Sequence, residues 1–390
     1  MKRGRIFLAI GLGIVAIVLF YCPNNYAQTE ELKIGFIAPL SGGGMSWGYA
    51  SLGGLELRMD KINAEGGLKV GGKTYKLKAV PYDSKYLADP AITATKRLIY
   101  EDKVKIIFGT VSSAAGMAMQ GVTEPQKIIL FCDTYTSQLL SPEKPYTFRF
   151  IATPIEFDPA QLDYYRERWP KTKTIAYIYP NDETGQDMLK WEKKYGAERG
   201  FEVIGLQWER GTPDLTPVVT KAVTGGYDIV DCDGLPPGQA GQAINTLREM
   251  GWKKPIARTG GAVVYDLLRI CGKNANGVIY HEDADFSDPK VAEIVKQFEA
   301  KKYPATVNTM LIPAYDGASI LFEALKKAGT VDDTDAIKAA MESITTFSGV
   351  QGPVSWVGKQ TYGINHQMRY PVLIGEVKDQ KPTIIKKVVF

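Results

Sequence analysis

The sequence predicts an α/β protein made of two lobes of like topology. Strand-like and helix-like segments alternate along the chain after residue 30, which is typical of parallel sheets covered by helices on both faces. The same alternation restarts after a segment rich in Pro, Asp and aromatic residues at 147–159. The chain of 390 residues is also longer than a domain with a single hydrophobic core usually is, which favours two domains.

Short apolar runs bounded by turn residues predict the strands of the first half, and amphipathic segments between them predict its helices. The predicted strands are 32–38, 75–82, 105–108 and 128–132, and the predicted helices are 52–62, 90–101 and 113–125. Residues 39–48, 109–114 and 133–137 follow three of these strands as turns. Ligands of open α/β sheets bind at the carboxyl ends of the strands, so these turns are candidate site segments.

The second half repeats this order. Its predicted strands are 174–179, 201–208, 229–232 and 255–258, and its predicted helices are 185–199, 216–223 and 241–250. The tail adds amphipathic helices and a terminal hairpin, predicted at 289–302, 315–327, 335–344, 370–376 and 383–389. The sequence shows no heptad repeat and no low-complexity tract, so the two lobes are related by topology rather than by an obvious sequence repeat.

The N-terminus is predicted to be a secretory signal peptide covering residues 1–27. Three basic residues precede an apolar run at 6–20, and the following polar stretch ends at the small residue Ala27. The apolar run is shorter than the roughly 20 residues of a membrane span. A lipid anchor at Cys22 is the alternative, although the bulky Tyr21 stands where a lipoprotein signal has a small residue.

The charge balance excludes some partners. Removing residues 1–27 takes away three basic groups and no acidic group, so 47 Lys and Arg residues fall to 44 against 43 Asp and Glu. The mature chain is therefore nearly neutral, and no interleaving of basic and aromatic residues indicates nucleic-acid binding. The cysteines at 132, 232 and 271 lack the spacing of metal ligands. They are either buried small residues or, for Cys232 and Cys271, a pair that bridges in an oxidising compartment.

Catalysis is not expected from the residues present. The two histidines, His281 and His366, fall outside the candidate turns, and no Gly-x-Ser-x-Gly elbow occurs. Gly72-Lys73-Thr74 lacks the first glycine of a phosphate-binding loop, and no Gly-x-Gly-x-x-Gly motif opens a helix. We therefore expect a protein that binds a ligand with no cofactor and no metal.

Hydroxyl and aromatic side chains mark the candidate turns. Ser112 and Ser113 lie where a predicted strand leads into a helix, and free N–H groups at a helix start attract an anion. The alternative is that one serine merely caps its own helix. Thr136 adds a hydroxyl at the next strand end, and Trp47 with Tyr135 would suit the apolar body of a ligand.

Six motifs follow one another along the mature chain. They are KIGFIAPLSG at 33–42 with Trp47-Gly48 soon after, INAEGG at 62–67, GTVSS at 109–113, DETGQ at 182–186, AYDGA at 314–318 and FSGVQG at 347–352. Together they resemble the substrate-binding proteins of ABC importers of the branched-chain amino acid type. The resemblance implies the type I periplasmic binding protein fold, with two Rossmann-like lobes joined by a three-strand hinge. It assigns 30–152 and 287–345 to lobe 1, and 153–286 and 346–390 to lobe 2.

The resemblance also implies roles for individual residues. Carried over by position, Ser112, Ser113 and Thr136 hold a ligand carboxylate, and Trp47 lines the side-chain pocket. The lobes are expected to close on the ligand by hinge motion, and the membrane subunits of an ABC permease are expected to recognise the closed form. A ligand-sensing periplasmic receptor partner of the same fold is the alternative function, because fold alone does not settle function.

Two positions depart from the family. The acidic residue that faces a ligand ammonium falls at Gly260, and a position that is often aromatic is Thr184. Because a buried cation without a partner is unfavourable, this departure favours an aromatic or aliphatic acid without an α-amino group. An ordinary apolar amino acid is the alternative, if Glu156 or Asp158 near the first crossover replaces the missing acid.

Overall fold

The computed structural model describes residues 29–389, so the predicted signal peptide, 1–27, and Cys22 lie outside the described part of the chain. The strands are β1 (Thr29–Ala38), β2 (Leu68–Val70), β3 (Lys73–Asp83), β4 (Ile106–Gly109), β5 (Ile129–Cys132), β6 (Thr147–Arg149), β7 (Thr174–Pro180), β8 (Glu202–Trp208), β9 (Ile229–Cys232), β10 (Ile256–Arg258), β11 (Val278–Glu282), β12 (Phe347–Gly349), β13 (Gly352–Val357), β14 (Gln367–Arg369), β15 (Val372–Lys378) and β16 (Lys381–Val388). The helices are α1 (Met45–Ala64), α2 (Ala88–Tyr100), α3 (Ser113–Thr123), α4 (Pro154–Arg168), α5 (Glu183–Glu198), α6 (Thr216–Thr224), α7 (Pro237–Glu249), α8 (Val264–Cys271), α9 (Pro289–Ala300), α10 (Leu311–Ala328), α11 (Thr334–Glu342) and α12 (Lys359–Tyr362). Short 3-10 helices lie at Gly42–Gly44, Ser137–Leu139 and Gly272–Ala275. Over residues 29–389, the helices lack the combination of length and apolarity that a bilayer span requires.

Two sheets divide these strands. The first has the order β12-β13-β14-β6-β5-β4-β1-β3-β2, and the second has the order β16-β15-β11-β10-β9-β7-β8. The central strands of each sheet are parallel, as the alternation of strands and helices predicted. We call the first sheet with its helices α1–α3 and α9–α12 lobe 1, and the second sheet with α4–α8 lobe 2. The predicted α/β fold with two Rossmann-like lobes is confirmed.

The continuous apolar runs of the sequence form the central strands. β4 and β5 are buried along their full length, and so is β9 of lobe 2. Helices on both faces explain this burial, because a parallel sheet leaves neither face to solvent. Phe108 and Phe131 pack edge to face between the sheet and the helices of lobe 1, with ring centroids 5.4 Å apart.

The chain passes between the lobes three times, at 150–153, 283–288 and 370–371. These three crossings form the hinge. After the second crossing, α9 and α10 pack against α1 of lobe 1. After the third crossing, β15 pairs with β11 and β16, so the terminal hairpin extends the sheet of lobe 2.

The predicted assignment of 346–390 as a whole to lobe 2 is wrong. β12, β13 and β14 belong to the sheet of lobe 1, and only the segment after residue 371 joins lobe 2. Gln367 of β14 pairs with Arg149 of β6, and its Oε1 accepts a hydrogen bond from Arg149 Nε at 2.5 Å. Trp356 of β13 packs on Phe148, with ring centroids 5.3 Å apart. These contacts join residues more than 200 positions apart, so a local pattern of hydrophobic residues does not reveal them.

The segment 147–159, which the sequence marks as a break, contains β6 and the start of α4. Thr153 and Glu156 form a capping box at that start, and Pro154 occupies the first helical position. The break is therefore the first crossing followed at once by a helix of lobe 2. The described cysteines, at 132, 232 and 271, are all buried free thiols.

Candidate ligand-binding site

The carboxyl ends of the central strands of both lobes face each other. On lobe 1 they lead into the turns 110–112 and 133–136, and on lobe 2 into 233–236 and 259–263. Hydrogen bonds join turns of the two lobes directly. The candidate site therefore lies between the lobes, at the sheet edges where the sequence placed it.

The turn after β4 has a strained backbone. Gly109 has a φ of +111°, and a Cβ there would lie 2.3 Å from the carbonyl oxygen of Ile37, so glycine is required. Val111 has a φ of +61°, which is unfavourable for a β-branched residue. Asp133 Oδ1 accepts hydrogen bonds from the N–H groups of Thr110 and Val111, both at 2.6 Å. The Asp133 carboxyl thus holds this turn in a conformation that it would not otherwise adopt, as is common at ligand sites.

The start of α3 carries the predicted hydroxyl residues. Ser112 caps the helix, since its Oγ accepts a hydrogen bond from the N–H of Ala115 at 3.4 Å. The N–H of Ser113 donates to Thr184 Oγ1 of lobe 2 at 3.3 Å, and Ser113 Oγ accepts from the N–H of Thr136 at 3.2 Å. Donors at the start of this helix therefore point toward the opposite lobe.

Two of the predicted aromatic residues reach across to the same glycine. Trp47, which lies in the first turn of α1 rather than in a loop, donates from Nε1 to the carbonyl oxygen of Gly261 at 3.3 Å. The N–H of Gly261 donates to the Tyr135 hydroxyl oxygen at 2.9 Å. Gly261 has a φ of +63°, and Trp47 Cζ2 would lie 3.4 Å from a Cβ there. The left-handed backbone conformation favours glycine at this position.

Tyr86 adds a third aromatic side chain that sequence reasoning missed. It has a φ of +66° in the loop after β3, and its hydroxyl lies 3.4 Å from Thr184 Oγ1. The Arg210 guanidinium of lobe 2 stacks on the Tyr86 ring at 4.3 Å and pairs with Asp182. Burial raises the pKa of the Tyr86 phenol, so it stays neutral and can donate a hydrogen bond.

These side chains surround a narrow cavity of about 20 Å³ between the lobes. Its walls are Trp47, Tyr86, Val111, Asp133, Tyr135, Thr184, Gly234, Gly261 and Met310. Three predicted residues, Trp47, Tyr135 and Thr184, thus line one cavity, and Ser113 and Thr136 connect to Thr184 by consecutive hydrogen bonds.

Four predicted residues, Ser112, Ser113, Thr136 and Gly260, are not walls of this cavity. Ser112 is buried beneath it as the cap of α3, which is the alternative role that its position left open. The N–H of Gly260 donates to Asp233 Oδ1 at 2.6 Å, and a Cβ on Gly260 would lie 2.8 Å from the same oxygen. An acidic side chain at position 260 would therefore displace the Asp233 carboxylate and face its charge, and the neighbouring Gly261 forms the wall instead.

The acids considered as replacements also lie elsewhere. Glu156 Oε2 accepts the hydrogen bond from the N–H of Thr153 at 2.8 Å in the capping box of α4. Asp158 is fully buried in lobe 2, and burial together with the charge of Glu192 raises its pKa. Burial and the neighbouring Asp233 raise the pKa of Asp231 to about 7 in the same region. Over residues 29–389, no group of three or more His, Cys, Asp or Glu side chains is arranged to hold a metal ion.

A buried arginine supports the turns on each side of the cavity. Arg149 Nη1 donates to the carbonyl oxygen of Thr136 at 2.7 Å, and Nη2 donates to the Tyr362 hydroxyl at 2.7 Å. On lobe 2, Arg258 Nη2 donates to the carbonyl oxygens of Leu235 at 2.6 Å and Gly261 at 2.9 Å. Both arginines are fully buried, and each fixes a turn of its own lobe that contributes to the site.

The other wall residues that the sequence did not single out are Val111, Asp133, Gly234, Gly261 and Met310. Asp133 begins a turn that was a candidate segment, but a carboxylate is not an expected partner for an anionic ligand. Burial raises the pKa of Asp133, although the backbone N–H groups that donate to its carboxylate act to lower it. Met310 comes from the segment before α10 and reaches the cavity only through tertiary packing, so no local signal marks it.

Comparison with known proteins shows which family this architecture belongs to. The sequence profile of the periplasmic binding protein family matches residues 31–382. A protein named Leu/Ile/Val-binding protein homolog 7, from Brucella suis biovar 1, is 26% identical over 361 residues, with 87% of each chain covered. A leucine-, isoleucine-, valine-, threonine-, and alanine-binding protein of Pseudomonas aeruginosa is 23% identical over 342 residues, covering 87% of this chain and 89% of that protein.

Solved structures share the fold. A leucine-binding protein of Thermotoga maritima superposes with a TM-score of 0.79 at 18% identity, covering 92% of this chain and 98% of that one. An ABC-transporter solute-binding protein of R. palustris in complex with benzoate superposes with a TM-score of 0.77 at 21% identity, covering 92% and 96%. A solute-binding protein of Rhodopseudomonas palustris BisB5 in complex with 3,4-dihydroxybenzoic acid gives 0.79 at 24%, covering 92% and 97%. With two α/β lobes, a three-crossing hinge and a match over residues 31–382, this chain belongs to the periplasmic binding protein family.

Proposed function

We propose that this protein is an extracytoplasmic solute-binding protein of an ABC importer and captures a small ligand bearing a carboxylate between its lobes. The observation that carries the proposal is a cavity with walls from both lobes, Trp47 and Tyr135 on one side and Thr184 and Gly261 on the other. A ligand in this cavity contacts both lobes only when they are closed. Its binding therefore favours the closed form, which the permease would recognise.

The start of α3 is the proposed carboxylate subsite. The N–H of Ser113 donates to the Thr184 hydroxyl at 3.3 Å, and the N–H of Thr136 donates to the Ser113 hydroxyl at 3.2 Å. A carboxylate placed between Ser113 and Thr184 accepts hydrogen bonds from both lobes, and the helix start favours its negative charge. The rings of Trp47 and Tyr135 then contact the apolar part of the ligand.

The relatives support two ligand classes. The proteins of Brucella suis and Pseudomonas aeruginosa are named for leucine, isoleucine and valine, the second also for threonine and alanine. The two R. palustris structures contain benzoate and 3,4-dihydroxybenzoic acid. We also propose that residues 1–27 direct export and are removed, with lipid attachment at Cys22 as the alternative. The proposed partners are the membrane subunits of an ABC permease.

A thermal-shift screen of the mature chain, residues 28–390, tests the proposal. The panel contains apolar L-amino acids, benzoates and short aliphatic acids, and isothermal titration calorimetry measures the dissociation constant of each ligand that stabilises the protein. A ligand at 100 times its dissociation constant adds about 2.7 kcal/mol to the free energy of unfolding, which produces a clear shift. If no member of the panel raises the melting temperature, the proposal of a small carboxylate ligand is refuted.

A matched pair of variants tests the placement of the site. Thr184→Val removes the hydroxyl that accepts the Ser113 N–H and is expected to weaken binding tenfold or more, about 1.4 kcal/mol. Thr220→Val makes the same change on an exposed helix of lobe 2, where the hydroxyl bonds only within the helix. Equal dissociation constants for the two variants would contradict the proposed carboxylate subsite.

A further inference from the structure

Asp133 lines the cavity, and only one of its two carboxyl oxygens accepts well-formed hydrogen bonds from the described residues. It follows β5 directly and is 1% exposed. Oδ1 accepts two backbone hydrogen bonds, from Thr110 and Val111. Oδ2 has no solvent contact and makes no well-formed hydrogen bond within residues 29–389. The Ser51 hydroxyl interacts with this carboxyl and acts to lower its pKa, but the two form no well-aligned hydrogen bond. A buried polar atom without a well-formed hydrogen bond is unfavourable, and this one belongs to a wall residue of the cavity.

The described walls of the cavity supply no positive charge to balance this carboxyl. Their side chains are aromatic, aliphatic, hydroxyl or thioether groups, with no Lys, Arg or His among them. Three arginines lie behind the walls. Arg210 is stacked on Tyr86 and paired with Asp182, and the guanidinium groups of Arg149 and Arg258 donate to backbone carbonyl oxygens of their own lobes. Burial raises the pKa of this carboxyl, although Ser51 and the backbone N–H groups act to lower it, and no cation is among the dominant causes of that lowering.

We infer that Asp133 accepts a hydrogen bond from an ammonium group of the ligand, so that the ligand is an apolar amino acid rather than an acid without an amino group. This inference rests on the proposed carboxylate subsite at Ser113 and Thr184. A ligand with only a carboxylate would add a second negative charge to a cavity whose walls have no cation. A zwitterion places its ammonium against Asp133 Oδ2 and its carboxylate at the start of α3, so each charge has a partner.

The position of Asp133 also explains how an amino acid could bind although glycine stands at position 260. An acidic side chain there would displace the Asp233 carboxylate and face its charge, and the acid is instead provided from lobe 1, at the end of β5. The remaining walls, including Trp47, Val111 and Met310, are apolar and suit an aliphatic or aromatic side chain. Asp133 is thus the residue that decides between amino acids and simple carboxylic acids.

Two pairs of ligands test this on the unaltered mature protein. L-Leucine is compared with 4-methylpentanoate, and L-phenylalanine with 3-phenylpropanoate, because each acid lacks only the ammonium group. Calorimetry is expected to show that at least one amino acid binds 100-fold or more tightly than its acid. Equal or tighter binding of the acids would overturn the inference while leaving the proposed function intact. Failure of all four ligands and of the wider panel would refute the proposed function itself.

Asp133→Asn provides the second readout. The amide oxygen can still accept from Thr110 and Val111, so the fold is expected to survive, and circular dichroism checks this. The variant is expected to weaken binding of the amino acid at least 100-fold and to leave or improve binding of its acid. Asp102→Asn, which removes a carboxylate of lobe 1 that bonds Tyr82 outside the cavity, is the matched control and should change neither. Unchanged amino acid affinity in Asp133→Asn would overturn the inference, and the ligand comparison decides the question if this variant does not fold.

Discussion

Asp187 joins the two lobes at a point outside the cavity, and its removal is expected to weaken ligand binding without touching the ligand. This carboxylate lies in α5 of lobe 2 and is 5% exposed. It accepts hydrogen bonds from the N–H and the Oγ of Ser137 on lobe 1, at 2.7 and 2.8 Å. Because these bonds cross between the lobes, they exist only in the closed form.

The size of the effect follows from the number of bonds removed. A hydrogen bond to a charged group contributes about 1.5–3 kcal/mol net. Ser137→Ala deletes one such bond and keeps the backbone donor, so the equilibrium between open and closed forms should shift toward the open form by roughly 10- to 150-fold. If the open form predominates without ligand, the apparent dissociation constant rises by the same factor. Asp187→Asn alters both bonds and should have an effect at least as large.

Calorimetry and small-angle X-ray scattering together test this prediction. Calorimetry gives the dissociation constant, and scattering gives the radius of gyration of the unaltered protein with and without ligand, which shows whether the open form predominates without ligand. Asp163→Asn is the control, because it removes a carboxylate that pairs with Arg199 within lobe 2. Dissociation constants that match the unaltered protein in both Ser137→Ala and Asp187→Asn would refute the reasoning that this contact stabilises closure.

Three further changes have defined outcomes. Trp47→Phe keeps a ring but loses the bond to the Gly261 carbonyl, so calorimetry should show binding weakened by roughly 2- to 10-fold. Burial raises the pKa of Asp316 from 3.8 to about 7. The folded protein therefore holds a proton that the unfolded chain releases between pH 4 and 7, and stability from this group is lost as pH rises across that window, by about 4 kcal/mol at most. Urea unfolding should show that Asp316→Asn removes this loss. Gly185→Ala places a Cβ 1.9 Å from the Pro180 carbonyl oxygen and should lower the melting temperature by roughly 4 °C or more.

Each of these outcomes has a result that would contradict it. An unchanged dissociation constant in Trp47→Phe would mean that the indole N–H contributes nothing to the closed form. Parallel stability curves for the unaltered protein and Asp316→Asn would mean that this carboxyl is ionised in the folded state near pH 5. Gly121→Ala is the control for Gly185→Ala, since a Cβ on this exposed glycine of α3 meets no atom within 4 Å. It should be neutral or stabilise α3 by about 0.5–1 kcal/mol.

Much of the fold follows from local pattern in the sequence. The strands predicted at 105–108 and 128–132 are β4 and β5 within one residue at most of their ends, because a strand buried on both faces reads as a continuous apolar run. The placement of β12–β14 was missed. Their position depends on Gln367 and Trp356 finding partners in lobe 1, and such contacts between distant parts of the chain leave no periodic signal.

Site residues could be predicted where a side chain suited to ligand binding lies in a turn or at a helix start next to the end of a strand. Trp47, Tyr135 and Thr184 were predicted and line the cavity, although their role in ligand binding stays a prediction. Tyr86 was missed because its place depends on a left-handed backbone conformation that only the folded loop reveals. Asp133 was missed because a carboxylate at an anion site is unexpected until the two backbone donors that it accepts are seen.

The buried arginines, Arg149 and Arg258, have a consequence for how quickly and how selectively the protein can work. Because each guanidinium fixes the turn of its own lobe, the backbone entropy of both binding surfaces is lost during folding and not when a ligand arrives. Association then needs only rigid-body rotation about the hinge. The turns that form one half-site also come from different segments of the chain than the turns that form the other. Substitutions in one turn can change the ligand spectrum while the opposite half-site keeps its shape, which makes ligand preference in this architecture easy to diversify or to engineer.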